Sequence, residues 1–225
     1  MPDDASSTPK RSRDSISNTL IVAIGVSFVC SILVASAAIL LKPRQLKNEE
    51  EFRQRIILDV AGLYEPGVDL ASLYASIEER TIELASGEQA PVYLVMDGAR
   101  TEQVILPIQG AGLWSTMYGY LAVENDGNTV RGLRFYSHAE TPGLGDQVDK
   151  PTWREQWQGK KLYGPDGAPR IEVVKGPAPD DSDYQIDGLA GATLTGRGVS
   201  VFVRHWIGEQ GYGPYLKTLG EEESR

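Results

Sequence analysis

Hydrophobic and polar positions divide the chain unevenly. Residues 1–17 are polar, and the stretch from Leu20 to Leu41, "LIVAIGVSFVCSILVASAAILL", is 22 positions without a charge. A helix rises about 1.5 Å per residue and needs roughly 20 apolar positions to cross the hydrocarbon core of a bilayer. The run therefore predicts a membrane-spanning helix at 18–41, preceded by a disordered tail at 1–17 and followed by a soluble domain at 42–225. Ala35-Ser36-Ala37 has the small-x-small form of a signal-peptide cleavage site. The apolar run continues past it through Ile39-Leu40-Leu41, which favours an uncleaved anchor.

After the anchor the period changes. "NEEEFRQRIILDVAGLY" places Phe52, Ile56, Ile57, Val60 and Leu63 at helical spacing among charges, an amphipathic helix that ends between Gly62 and Pro66. A short helix is expected around Asp69–Ile77. The middle reads as strands: "PVYLVMD", "QVILPIQG", "MYGYLAVEND" and "TVRGLRFYSHAE" are rich in β-branched and aromatic residues. "ENDGNTV" between the last two is a hairpin signal, because Asp-Gly and Gly-Asn accept positive φ in a tight turn. "KPTWREQWQGKKL" predicts a short helix with Pro151 in its first turn, "RIEVVKG" a strand, and "GRGVSVFVRHWIGEQG" a C-terminal helix burying Val199, Phe202, Val203 and Trp206. The fold class is α+β: one N-terminal transmembrane helix, then a domain containing an antiparallel sheet.

Charge and composition narrow the chemistry. The net charge of −9 argues against nucleic acid, whose phosphates are bound by clustered Lys and Arg. One cysteine, Cys30, excludes an internal disulfide, and with two histidines, His138 and His205, it makes a self-contained metal site improbable. Cys30 reads as a small apolar residue within the span. Ser27, Ser31, Ser36 and Gly25 give that helix small-residue faces suited to packing on other membrane helices. Basic residues flank both ends (Lys10, Arg11 and Arg13; Lys42, Arg44 and Lys47), so charge alone does not orient it. No charge lies inside the span, which argues against an ion path built by this helix alone. No GxGxxG fingerprint occurs, so a dinucleotide would bind elsewhere.

The turn "DGLAGATLTGRGV" carries the sharpest chemical signal. Glycines ahead of a helix bring unpaired backbone N–H groups toward a ligand, and the helix dipole favours an anion there. Thr193 would then lie beside a bound phosphate. Equally, Thr193 or Thr195 could serve as the helix cap. Nothing adjacent in sequence could act as a base for the Thr193 hydroxyl, so covalent chemistry there would need a separate enzyme. A planar ring carried by a ligand bound there would need an apolar or aromatic bed; Trp114, Tyr118, Tyr136 and the loop Ser137–Gly145 are the candidates. Trp153, Trp157 and Trp206 read as core, and Arg197 as either a phosphate partner or a surface residue.

Asp187–Thr193, "DGLAGAT", resembles the flavinylation motif Asp-x-x-(Ser/Thr)-Gly-Ala-Thr of FMN-binding domains, with Ala190 where the motif usually has a hydroxyl residue. The long stretch "GAGLWSTMYGYLAVENDGNTVRGLRFYSHAETPGLGDQV" and the span followed by "LKPRQ" extend the likeness over nearly the whole chain. It is similar to the C-subunit family of sodium-translocating NADH:quinone reductases. That resemblance implies FMN esterified through its phosphate to Thr193, with Asp187, Gly188, Leu189, Gly191 and Ala192 forming the attachment turn. It also implies a flavin pocket at His138, Glu140, Thr141, Leu144 and Trp114. The implied role is electron relay in a complex that oxidises NADH, reduces ubiquinone and exports sodium. Implied partners are the other membrane and flavin subunits and a magnesium-dependent flavin transferase that uses FAD. The implied location is the bacterial inner membrane, single-pass, with the domain in the periplasm. Two alternatives are the flavin subunit of the related ferredoxin:NAD electron-transport complex and a flavin-free anchored binding module.

Overall fold

The computed structural model describes residues 16–98 and 100–223. The apolar run and the amphipathic stretch that follows form one helix, α1 (Ile16–Val60), instead of two. Pro43 lies inside it and gives up one helical hydrogen bond. The expected tail is therefore shorter than 1–17, since Ile16 and Ser17 are already helical; the rest of that expectation falls on residues outside the described ones. The helix continues through residue 42, and two compact units divide between Glu50 and Glu51. In the first, α1 is long and apolar enough to cross a membrane, and its large apolar side chains from Ile16 to Leu41 are exposed.

In the second unit, Asp69 caps the five-residue α2 (Leu70–Tyr74) by accepting the Ser72 N–H at 3.1 Å. Five strands then form an antiparallel meander in chain order: β1 (Ile77–Glu83), β2 (Gln89–Asp97), β3 (Arg100–Ala111), β4 (Thr116–Glu124) and β5 (Val130–Ser137). Alternate side chains point to opposite faces. One face, including Leu94, Leu106, Ile108, Met117, Leu121 and Phe135, carries the larger core; the other, including Tyr93, Val95, Ile105 and Tyr120, is covered by Ile56, Ile57 and Val60 of α1. The β4–β5 hairpin turns where expected: Gly127 has φ +68°, and Asp126 accepts the N–H groups of Asn128 and Thr129 at 2.9 and 2.7 Å and the Thr129 hydroxyl.

The larger face is closed by α3 (Pro151–Arg154) with the 3₁₀ turn Glu155–Trp157, by a parallel pair β6 (Glu172–Val173) and β7 (Gln185–Ile186), by α4 (Thr193–Trp206) and by α5 (Gly213–Glu223). Trp153 and Trp157 are core residues, as expected. α4 approaches β3 so closely that a Cβ on Gly198 would lie 2.5 Å from the Ala111 carbonyl oxygen. Pairing between β2 and β3 stops after Tyr93↔Ile105. Val92 and Leu106 follow, and then Pro91 and Pro107, which have no N–H to continue the ladder. Beyond them the carbonyls of Pro107 and Gln109 accept hydrogen bonds from the Tyr212 hydroxyl (3.0 Å) and Trp206 Nε1 (2.6 Å). Trp206 is thus half-buried and stacked on Tyr212 at 5.4 Å, a plug in a sheet seam instead of an interior core residue.

Candidate functional site

β7 delivers the chain to Asp187, whose polar atoms are all engaged. Its N–H donates to Gln156 Oε1 (2.9 Å), its carbonyl accepts from Trp153 Nε1 (2.9 Å), and its carboxylate accepts from Gln156 Nε2 (3.1 Å) and the Ala178 N–H (2.7 Å). Asp187 therefore holds the turn in place. Gly188 follows, its N–H donating to the Gly176 carbonyl at 2.7 Å. Leu189 to Ala192 close a four-residue turn through Ala192 N–H to Leu189 O at 3.0 Å; its third residue, Gly191, has φ +74°, the left-handed value that a type II turn requires at that position. Leu189 and Ala192 are buried, and Ala190 and Gly191 are exposed.

α4 begins at Thr193 with Ala192 as its N-cap, and no side chain caps it. The cap reading of the two threonines therefore fails. Thr195 is fully buried and its hydroxyl donates to Glu140 Oε2 at 2.5 Å. Thr193 is exposed, and its hydroxyl makes no hydrogen bond among the described residues. The N–H groups of Thr193, Leu194 and Thr195, the first three of the helix, have no acceptor among the described residues either. Beside Thr193 is an open hollow of about 540 Å³, with Lys175, Gly176 and Pro177 on one wall and the turn Asp187–Gly191 on the other. That is within the roughly 300–1,000 Å³ range of ligand pockets.

Glu140 joins three segments. It is 5% exposed, and its Oε1 accepts the N–H groups of Leu113 and Trp114 at 2.9 and 3.1 Å while Oε2 holds Thr195. It is neither solvated nor paired with the imidazole of His138 through its carboxylate. The Thr141 carbonyl accepts the N–H groups of Leu144 and Asp146, which shapes the loop carrying Leu144. Leu144 then reaches the glycine turn, with its Cδ2 2.7 Å from where a Cβ on Gly191 would sit. Gln147 Nε2 ties the two loops by donating to the carbonyls of Leu144 (2.7 Å) and Ala190 (3.0 Å). Leu113, Trp114, Leu144 and Leu194 remain exposed, an apolar surface next to the unpaired N–H groups.

His138 stands apart. Its Nδ1 accepts the Glu140 N–H (3.3 Å), so Nε2 carries the proton and donates to Asp149 Oδ2 at 2.9 Å; the ring lines a different hollow, with Phe52, Ile56 and Arg134. Tyr118 and Tyr136 are also elsewhere. Strand alternation sends Met117 and Leu121 toward α4 but Tyr118 and Tyr120 to the opposite face, where Tyr136 stacks on Tyr120 at 5.2 Å. Arg197 is exposed and forms no ion pair among the described residues. The motif does not reveal Thr195, Gln147 or Lys175 as site residues. Thr195 is legible in sequence only as a cap, and the other two lie far from the turn along the chain.

Residues 112–208 match the FMN-binding domain family. The chain is 41% identical to the C subunit of the Na(+)-translocating NADH-quinone reductase of Yersinia pestis, over 94% of this chain and 96% of that protein. It is also 41% identical to the protein of the same name from Vibrio parahaemolyticus, over 92% and 96% respectively. Its structure is similar to the crystal structure of Shewanella oneidensis NqrC, with a TM-score of 0.71 and 29% identity, covering 77% of this chain and 99% of that one. A long apolar N-terminal helix, a five-stranded meander and a glycine turn opening α4 therefore stand in a chain that belongs to the NqrC family, the C subunits of the Na(+)-translocating NADH-quinone reductases.

Proposed function

We propose that this chain is the electron-relay subunit of a sodium-translocating NADH:ubiquinone reductase, an oxidoreductase complex, and that it carries FMN esterified through its phosphate to Thr193. The observation that carries the reading is the Thr193 hydroxyl: it is exposed in the first turn of a 14-residue helix, has no hydrogen-bond partner among the described residues, and is not used as a cap. The residues fit the group. Three unpaired N–H groups and the positive end of α4 suit a phosphodiester, and the hollow beside them has the volume for part of a flavin. Gly188, Leu189, Gly191 and Ala192 shape the attachment turn; Leu144, Trp114 and the backbone at Thr141 offer the apolar bed.

Attachment requires a transferase. Thr193 Oγ forms a bond to the FMN phosphorus of FAD, the pyrophosphate bond breaks, and AMP leaves, while the hydroxyl proton passes to a base on the transferase. Bound FMN supplies the capacity to take up and pass on electrons singly. The chain's own residues position it. Glu140 locks Leu113 and Trp114 to the start of α4, Gln147 fastens the Leu144 loop to Ala190, and Asp187 anchors the turn to Trp153 and Gln156. His138 acts through Glu140 and Asp149 as a buttress of the loop.

Residues 18–41 of α1 are the membrane span in this reading, and 42–225 lie on the periplasmic side of the inner membrane with the other subunits as partners. The test is the intact mass of the full chain co-expressed with a flavin transferase. Wild type gains one FMN residue and fluoresces in a denaturing gel, and Thr193→Ala does neither. A folded wild type with unmodified mass beside an active transferase would refute covalent attachment and favour a flavin-free anchored module.

A further inference from the structure

Glu140 does more than bracing requires. Its carboxylate is buried, accepts two N–H groups and the Thr195 hydroxyl, and forms no ion pair among the described residues. A neutral glutamine would brace equally well: Oε1 would accept both N–H groups and Nε2 would donate to the Thr195 oxygen. Placing an unpaired charge there instead is costly, because burial strips it of water. The space around it is fully used. A Cβ on Gly112 would lie 2.3 Å from Oε1, and one on Gly145 would lie 2.9 Å from Oε2.

The position of that charge is specific. Thr195 is the third residue of α4, two after Thr193, so the carboxylate sits against the first turn of the helix. The N-terminus of a helix carries roughly half a positive elementary charge. Left alone, it would favour electron uptake by any group held over Thr193. A full negative charge beside it, in surroundings of low dielectric, reverses the local field.

We propose that Glu140 sets the reduction potential of the flavin site, holding it below the value that a neutral residue there would give. This rests on the FMN reading above. Glu140 is a positioning residue by its hydrogen bonds and a tuning residue by its charge.

The test uses the full chain, co-expressed with a flavin transferase, purified in detergent and verified by mass to carry FMN. Flavin absorbance is followed during potentiometric titration with dithionite. Glu140→Gln keeps the hydrogen bonds and removes the charge, so the one-electron equilibrium moves at least tenfold toward the reduced form, 59 mV for a one-electron couple. Thr195→Val keeps the charge and removes the hydroxyl that disperses it, so the potential moves the opposite way. An unchanged potential in Glu140→Gln, or a rise in both variants as simple loosening would give, overturns the proposal. Should Glu140→Gln fail to fold, Thr195→Val decides alone: a fall supports the proposal, and no change or a rise overturns it. Absence of FMN from wild type would instead refute the underlying reading, and this proposal with it.

Discussion

Replacing Gly188 with alanine tests whether the glycine turn before α4 is held by contact between backbones. A Cβ at Gly188 would lie 2.4 Å from the Val174 carbonyl oxygen and 2.7 Å from the Gly176 nitrogen. Both are main-chain atoms of the opposite wall, so no rotamer change relieves the clash. The two segments must move apart, which breaks the 2.7 Å hydrogen bond from Gly188 N–H to Gly176 O. Overpacking of this kind costs about 1–3 kcal/mol and a lost hydrogen bond about 0.5–1.5 kcal/mol, giving roughly 2–4 kcal/mol. At about 2–4 °C per kcal/mol for a chain of this size, Tm falls by roughly 5–15 °C. The assay is a far-ultraviolet circular dichroism melt of the full chain in detergent, with Gly143→Ala as control. Gly143 has φ +78° but open space around it, so its substitution carries only the backbone cost of about 1–2 kcal/mol. Equal Tm losses in the two variants, or none at Gly188, would refute the reasoning.

Two further outcomes follow from the same hydrogen-bond geometry. Burial raises the pKa of Asp126, but hydrogen bonds from Thr129 and Asn128 and the charge of Lys161 outweigh it and hold the pKa below 3.8. A depressed folded-state pKa contributes stability above the unfolded value that is lost as pH falls through the folded one. Asp126→Asn is therefore less stable than wild type at pH 7, with a gap that closes as pH drops below 3.8; a gap constant down the acid limb of urea titrations contradicts this. Trp153→Phe leaves the Asp187 carbonyl without its 2.9 Å donor and costs about 1–3 kcal/mol, read as a lower urea midpoint; an unaltered midpoint would show that the bond contributes nothing.

Much of this architecture is legible from residue patterns because period and turn chemistry are local properties. β2 to β5, the Asp126-Gly127 hairpin and α4 fall where alternation, Gly-Asn signals and helical spacing put them. β1 escapes detection: "IEERTIE" has a mostly exposed burial pattern and four charges, features of an edge strand that packs little. α5, 11 residues with three glutamates at its end, lacks a broad apolar stripe. Thr193 stands out in sequence because glycines and a helix start are adjacent to it. The role of Glu140 does not, since its partners at 113, 114 and 195 meet only through tertiary packing. Tyr118 and Tyr136 mislead for a related reason: alternation says that neighbours face opposite ways, but only the packed sheet says which way is toward α4.

The seam at Pro91 and Pro107 imposes a schedule on the making of the molecule. The carbonyls of Gln109 and Pro107 are satisfied by side chains 97 and 105 positions further along the chain. At about 5–20 residues per second of synthesis, that flank of β3 stays bare for roughly 5–20 s after it emerges. Throughout that interval it is an open strand edge, available to any other chain with N–H groups to offer. Trp206 and Tyr212 arrive late and act as a clasp, so the age of a nascent molecule, as much as its sequence, determines when it ceases to be vulnerable to mispairing.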